Sequence, residues 1–150
     1  MEQLNLAKKD AVKHMKVADH LLTMTYPLVH DPKLLKLVMK NLHKSVKKTM
    51  TAFILYNKPH VHINDDFNKL LKKTTPLLNK HEISKEYLVF LNDLNETINT
   101  QKKSEVEFIR KNKFVFTNKD YKLNTITQSE MKEYLIKGKL FMRTIMEVIK

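Results

Sequence analysis

The run from Asp31 to Tyr56, DPKLLKLVMKNLHKSVKKTMTAFILY, constrains the fold more than any other stretch of this chain. Its apolar residues Leu34, Leu35, Val38, Met39, Leu42, Val46, Met50, Phe53 and Ile54 recur three or four apart, the spacing of one continuous helical stripe. Asp31 is placed to accept the free amide hydrogens of the first turn. Pro32 follows at the first helical position, where its missing N–H costs nothing, and Pro59 lies just past the end. At 1.5 Å per residue such a helix is on the order of 37 Å long, so several other helices must pack along it.

The opposite face of the same helix carries Lys33, Lys36, Lys40, Lys44 and Lys47, with Lys48 beside them, and no Asp or Glu occurs between Pro32 and Asn64. Like charges at i,i+4 repel by roughly 0.2–0.5 kcal/mol per pair, whereas a solvated helix usually interleaves opposite signs. The stripe therefore calls for an external anion.

The rest of the chain supplies the partners. Helix 1 is expected from Gln3 to Tyr26, with Leu4, Ala7, Ala11, Met15, Ala18, Leu21 and Leu22 on one face and three alanines permitting close packing. Pro27 breaks that pattern and turns the chain back into the long helix, which predicts an antiparallel hairpin. Asn64, Asp65 and Asp66 open a third helix whose stripe, Phe67, Leu70, Leu71, Thr74, Leu77 and Leu78, crosses Pro76; the spacing leaves open a kink there or a restart capped by Thr75. Ser84 starts a fourth, with Tyr87, Phe90, Leu91, Leu94 and Ile98 inward.

Ser104 and Glu107 match a capping box for a short turn of helix ending near Arg110. The β-favouring runs Lys113–Thr117 and Tyr121–Ile126 flank Asn118-Lys119-Asp120 as a small hairpin. Thr127 and Glu130 form a second capping box before a last helix with Met131, Tyr134, Leu135, Gly138, Phe141, Met142, Ile145 and Ile149 inward. Gly138, which costs about 1 kcal/mol against Ala inside a helix, is expected to let a neighbouring helix backbone approach. Ile136 and Leu140, one turn apart on the outer face, are candidates for a protein interface. The predicted fold is all-α: one domain, an antiparallel bundle of four to five long helices with a small β-hairpin before the C-terminal helix. At 150 residues it can bury roughly 68–70% of its unfolded surface.

Composition narrows the function. A formal charge of +12, from 26 Lys and two Arg against 16 acids, favours nucleic acid, an anionic surface or an acidic protein. Lysine binds phosphate as a point charge and lacks the bidentate fork that reads bases, so the expected contact is with the backbone; a Lys- and Asn-rich composition also follows from an AT-rich genome. With one Gly there is no glycine-rich phosphate loop, and with no Cys there is no disulfide, thiolate site or cysteine nucleophile, which fits a cytoplasmic protein. No signal peptide or apolar span is evident, no cofactor is called for, and no nucleophile has a base beside it. His60 and His62, followed by Asp65 and Asp66, are the one candidate for a metal site, and nothing in the spacing fixes a third ligand. Arg110, Lys111, Lys113, Lys119 and Lys122 interleave with Phe114, Phe116 and Tyr121, a pattern that can hold single strands by phosphate contact and stacking. Two apart on a strand, Phe114 and Phe116 are expected to face the bundle instead.

The stretch SEVEFIRKNKFVFTNKDYKLNTI, followed by a closing helix, resembles a group of small uncharacterised archaeal proteins. The long helices of residues 3–100 and 128–149 also resemble the HEPN type of helical bundle, found in nucleases and in partners of nucleotidyltransferases. HEPN nucleases carry an arginine followed by a histidine after four to six residues. Here Arg110 meets Val115, Phe116 and Thr117 at those places, and Arg143 meets Val148, Ile149 and Lys150. The resemblance thus implies a non-catalytic member that binds RNA, a nucleotidyltransferase or its own twin; the basic face by itself is open to a ribonucleoprotein, or to an acidic protein or a homo-oligomer.

Overall fold

A computed structural model describes residues 1–104, 106–111, 113–117 and 122–150. Six α-helices, α1 (Glu2–His20), α2 (Tyr26–Val29), α3 (Lys33–Asn57), α4 (Phe67–Lys80), α5 (Glu86–Lys102) and α6 (Gln128–Val148), accompany one antiparallel sheet of β1 (Glu107–Arg110), β2 (Lys113–Thr117) and β3 (Leu123–Ile126), in the order β1-β2-β3. No helix among the described residues is long and apolar enough to cross a membrane.

The long helix is the centre of the molecule. α3 packs against α1 most extensively and also against α4, α5, α6 and β2. Its predicted apolar residues are buried apart from the half-buried Leu34. Small residues set the α1–α3 distance. Ala7, Ala11 and Ala18 are buried, and the Ser45 hydroxyl donates to the Ala11 carbonyl at 2.7 Å, a contact that needs two helices at close range. Asp66 accepts from the Lys69 amide at 3.1 Å and the Thr127 hydroxyl from Glu130 at 3.2 Å, so these two start signals act as caps, whereas α3 has Pro32 at its cap position and Asp31, one residue earlier, accepts from the Lys33 amide at 3.0 Å.

Four expectations are corrected or, where left open, decided. The first helical run does not stop at Pro27: a π-helical turn, Leu21–Thr25, leads into α2, and the chain reverses at His30, whose φ of 54° is left-handed. Widening the helix just before Pro27 gives its ring the room that the regular i−4 carbonyl would deny. α4 runs unbroken through Pro76, with the Thr75 hydroxyl donating to the Leu71 carbonyl at 2.8 Å rather than capping a new helix.

The third correction concerns residues 104–110. Ser104 caps no helix; its hydroxyl donates to the Val106 carbonyl at 2.7 Å and accepts the Thr117 amide at 3.0 Å, which steers Glu107–Arg110 into strand β1 against β2. The fold is thus helical with a three-stranded sheet, of which the predicted hairpin is the β2–β3 half; its turn, with Lys119 and Tyr121, lies outside the described residues. Fourth, Gly138 makes room for side chains, not for a backbone. A Cβ there would meet Leu42 Cδ1 at 2.6 Å, Met15 Cε at 3.3 Å and Phe90 Cζ at 3.7 Å, where α3, α1 and α5 converge on α6.

Candidate nucleic-acid interface

The lysine stripe lies on the solvent side of the first two-thirds of α3. Lys33, Lys40 and Lys44 are exposed; Lys36, Lys47 and Lys48 flank them half-buried. Further along, the same line of the helix continues as Thr51 and Leu55, which are buried. The stripe is therefore a bounded patch.

Two of its charges are answered from elsewhere in the chain. Lys36 pairs with Glu107 of β1 at 2.9 Å, and Lys47 pairs with Asp65, just before α4, at 2.9 Å. Asp93 and Glu96 of α5 pair with no stripe lysine. Glu107 is held more firmly than an exposed ion pair would be: Gln101 at the end of α5 donates to the same carboxylate at 2.5 Å, and the Lys36 ammonium lies 5.7 Å from the Phe114 ring centroid. Burial pushes the Glu107 carboxyl up, but hydrogen bonds from Lys36 and Gln101 and the charges of Lys36 and Lys40 outweigh it and hold the group below its ordinary value. Lys33, Lys40 and Lys44 form no ion pair with a described residue.

One residue beside this patch belongs to no motif in the sequence. His43 is buried, its ring stacked on Phe67 with centroids 4.8 Å apart and planes 13° from parallel. Its pKa falls from 6.5 to about 4, first through burial, then through the charges of Lys47 and Lys102, against which Asp65 pulls only weakly. The imidazole is neutral at pH 7. Its position on the helix, one step from Lys44 and four before Lys47, was the available signal.

The hairpin of β1 and β2 carries the second basic group. Arg110, Lys111 and Lys113 are exposed at its turn, where Lys111 has φ 48°; Lys122, before β3, is exposed as well. Phe114 and Phe116 are buried in the core as their two-residue spacing required, so neither is available to stack on a ligand. Lys119 lies outside the described residues.

The remaining candidates separate. His60 and His62 line one cleft of about 630 Å³ with Asp10 and Lys48. Asp65 and Asp66, the acids nearest them in the sequence, are engaged by Lys47 and by the α4 amides, and no cluster of three or more His, Cys, Asp or Glu among the described residues is arranged to hold an ion. Ile136 and Leu140 are 60% and 44% exposed on α6, outside the core as their positions implied. No family model, curated protein or solved structure matches the chain.

Proposed function

We propose that this protein is a non-catalytic, HEPN-like basic bundle that holds RNA or a ribonucleoprotein through phosphates, using the α3 stripe and the β1–β2 turn. The observation that carries the reading is the row Lys33, Lys40 and Lys44: three exposed cations on one helix face without an ion-pairing acid among the described residues. Arranging like charges this way is unfavourable for the isolated protein and favourable once counterions are exchanged for a polyanion. Lys36 and Lys47, already paired, contribute less.

The test is a fluorescence-anisotropy titration of a short unstructured RNA at several salt concentrations, comparing wild type with the Lys33, Lys40 and Lys44→Gln triple variant. Three stripe lysines and three cations at the turn give a log–log salt slope of about −4 at roughly 0.7 per phosphate, and the variant should lose about half of it. An absence of binding, or a variant indistinguishable from wild type, refutes the reading. A second reading, a protein-interaction module that pairs with itself, an acidic protein or a nucleotidyltransferase, rests on the exposed Ile136 and Leu140. Sedimentation of wild type and Ile136→Lys separates it from the first: a dimer that the variant dissolves supports it, a monomer in both removes the homodimer.

A further inference from the structure

The solvent face of the sheet has a composition different from that of the α3 stripe. Strand alternation sends Phe114, Phe116 and Ile126 into the core and places Phe108 and Arg110 of β1, Lys113 and Val115 of β2, and Leu123 and Thr125 of β3 on the other side. Phe108, Val115 and Thr125 are successive register partners across the three strands. Val115 on the central strand is only 3% exposed, whereas Phe108 on the edge strand remains 38% exposed. Phe108, Val115 and Leu123 line a concavity of about 250 Å³ whose other walls include Arg110, Lys111 and Lys113. No acid among the described residues lines it.

The charges around this concavity are arranged at a cost. Arg110 and Lys113 are direct cross-strand partners, a placement that is unfavourable for like charges, and Lys111 adds a third cation in the turn between them. Glu130 at the start of α6 feels the Lys113 charge but makes no ion pair with it. An anion seated between Arg110 and Lys113 removes the repulsion.

We propose that this face is a seat for single-stranded nucleic acid, in which Phe108 stacks on one base and Arg110, Lys111 and Lys113 hold the adjoining phosphates. An exposed aromatic on an edge strand beside several cations supplies both halves of single-strand binding: a π-face for the base and point charges for the backbone. A duplex is excluded from the aromatic, because its bases are already stacked on one another. This site rests on the ligand class of the function proposed above and adds what the α3 stripe lacks, a means of telling a base from bare phosphate.

Anisotropy titrations with labelled oligouridylate, oligothymidylate and an abasic oligodeoxynucleotide of equal length test it. The wild type should bind the base-bearing strands more tightly than the abasic strand, by about five- to a hundred-fold, the usual effect of one stacked base. Phe108→Ala should abolish that preference without changing the salt slope, and Phe108→Trp should restore it. Arg110→Gln with Lys113→Gln should lower the slope by about 1.4 while keeping the preference. Equal binding of base-bearing and abasic strands by the wild type overturns the stacking seat and leaves phosphate binding by α3 standing; that comparison needs no variant to fold. No binding of any strand overturns both.

Discussion

Lowering the pH from 7.5 to 5 should destabilise this protein through His43. The imidazole is 8% exposed, lies flat on Phe67 and is flanked by Lys47 and Lys102, so the fold favours its neutral form and depresses its pKa to about 4. In the unfolded chain the same ring takes its proton near 6.5. Above that pH both states are neutral and His43 contributes no pH dependence. Below it the unfolded state binds a proton that the folded state refuses, and stability falls by about 1.4 kcal/mol for each pH unit. The loss is about 2 kcal/mol at pH 5 and reaches about 3 kcal/mol near pH 4, where the folded ring finally ionises.

Urea denaturation of wild type and His43→Gln at pH 7.5 and pH 5 measures this directly. Acidification also protonates carboxylates such as Glu130, which burial pushes up, but such contributions are common to both proteins, so the difference between the two pH-dependent losses isolates the imidazole. The wild type should lose about 2 kcal/mol more than the variant. Equal losses, or a His43 ring resonance that titrates near pH 6.5 in the folded protein, would refute burial and lysine repulsion as the forces that keep this ring neutral.

Three further outcomes follow from the packing. Gly138→Ala should fail to stabilise α6 despite its gain of about 1 kcal/mol in helix propensity, because the new methyl meets fully buried Leu42, and overpacking costs about 1–3 kcal/mol; a thermal-melt gain instead would show that the Leu42 site can yield. Thr74→Val should raise stability by about 1 kcal/mol in the same melts, since the Thr74 hydroxyl is buried without a hydrogen-bond partner, and a loss would mean that this group is satisfied in solution. Glu107→Gln should leave the fold intact and strengthen oligonucleotide binding a few-fold at low salt by freeing Lys36, while unchanged affinity would place the ligand away from the N-terminal half of α3.

Helices, caps and the inward face of the hairpin were legible because each is written locally. A three- or four-residue period identifies Leu35 through Ile54 as core, and Asp66 and Thr127 each cap a helix with a side chain that reaches three residues. Strand β1 was misread for the same local reason: Ser104 and Glu107 have capping-box spacing, yet Glu107 is claimed by Lys36, 71 residues away. The β-favouring Val106, Phe108 and Ile109 and the two residues before Lys113 were the better signal for a strand and a tight turn. Missing the strand also hid Phe108, which only strand geometry turns outward.

The acid-free run in α3 was a correct observation about sequence whose physical meaning changes with the fold. Lys36 gives part of its charge to Glu107, and that pairing ties the edge strand of the sheet to the central helix, with Gln101 of α5 on the same carboxylate and Phe114 of β2 close to the ammonium. The side chain that weakens the stripe as an anion site is thus part of what fixes the sheet beside it. From Glu107 to Arg110 is three residues of extended chain, about 10 Å, so docking β1 on Lys36 brings the cations of the turn near the N-terminal half of the stripe. A sequence with acids interleaved along α3 could satisfy its own charges at i,i+4 and would have no such need of Glu107. The clustering of charge along the chain is in this sense what couples the basic helix to the basic hairpin.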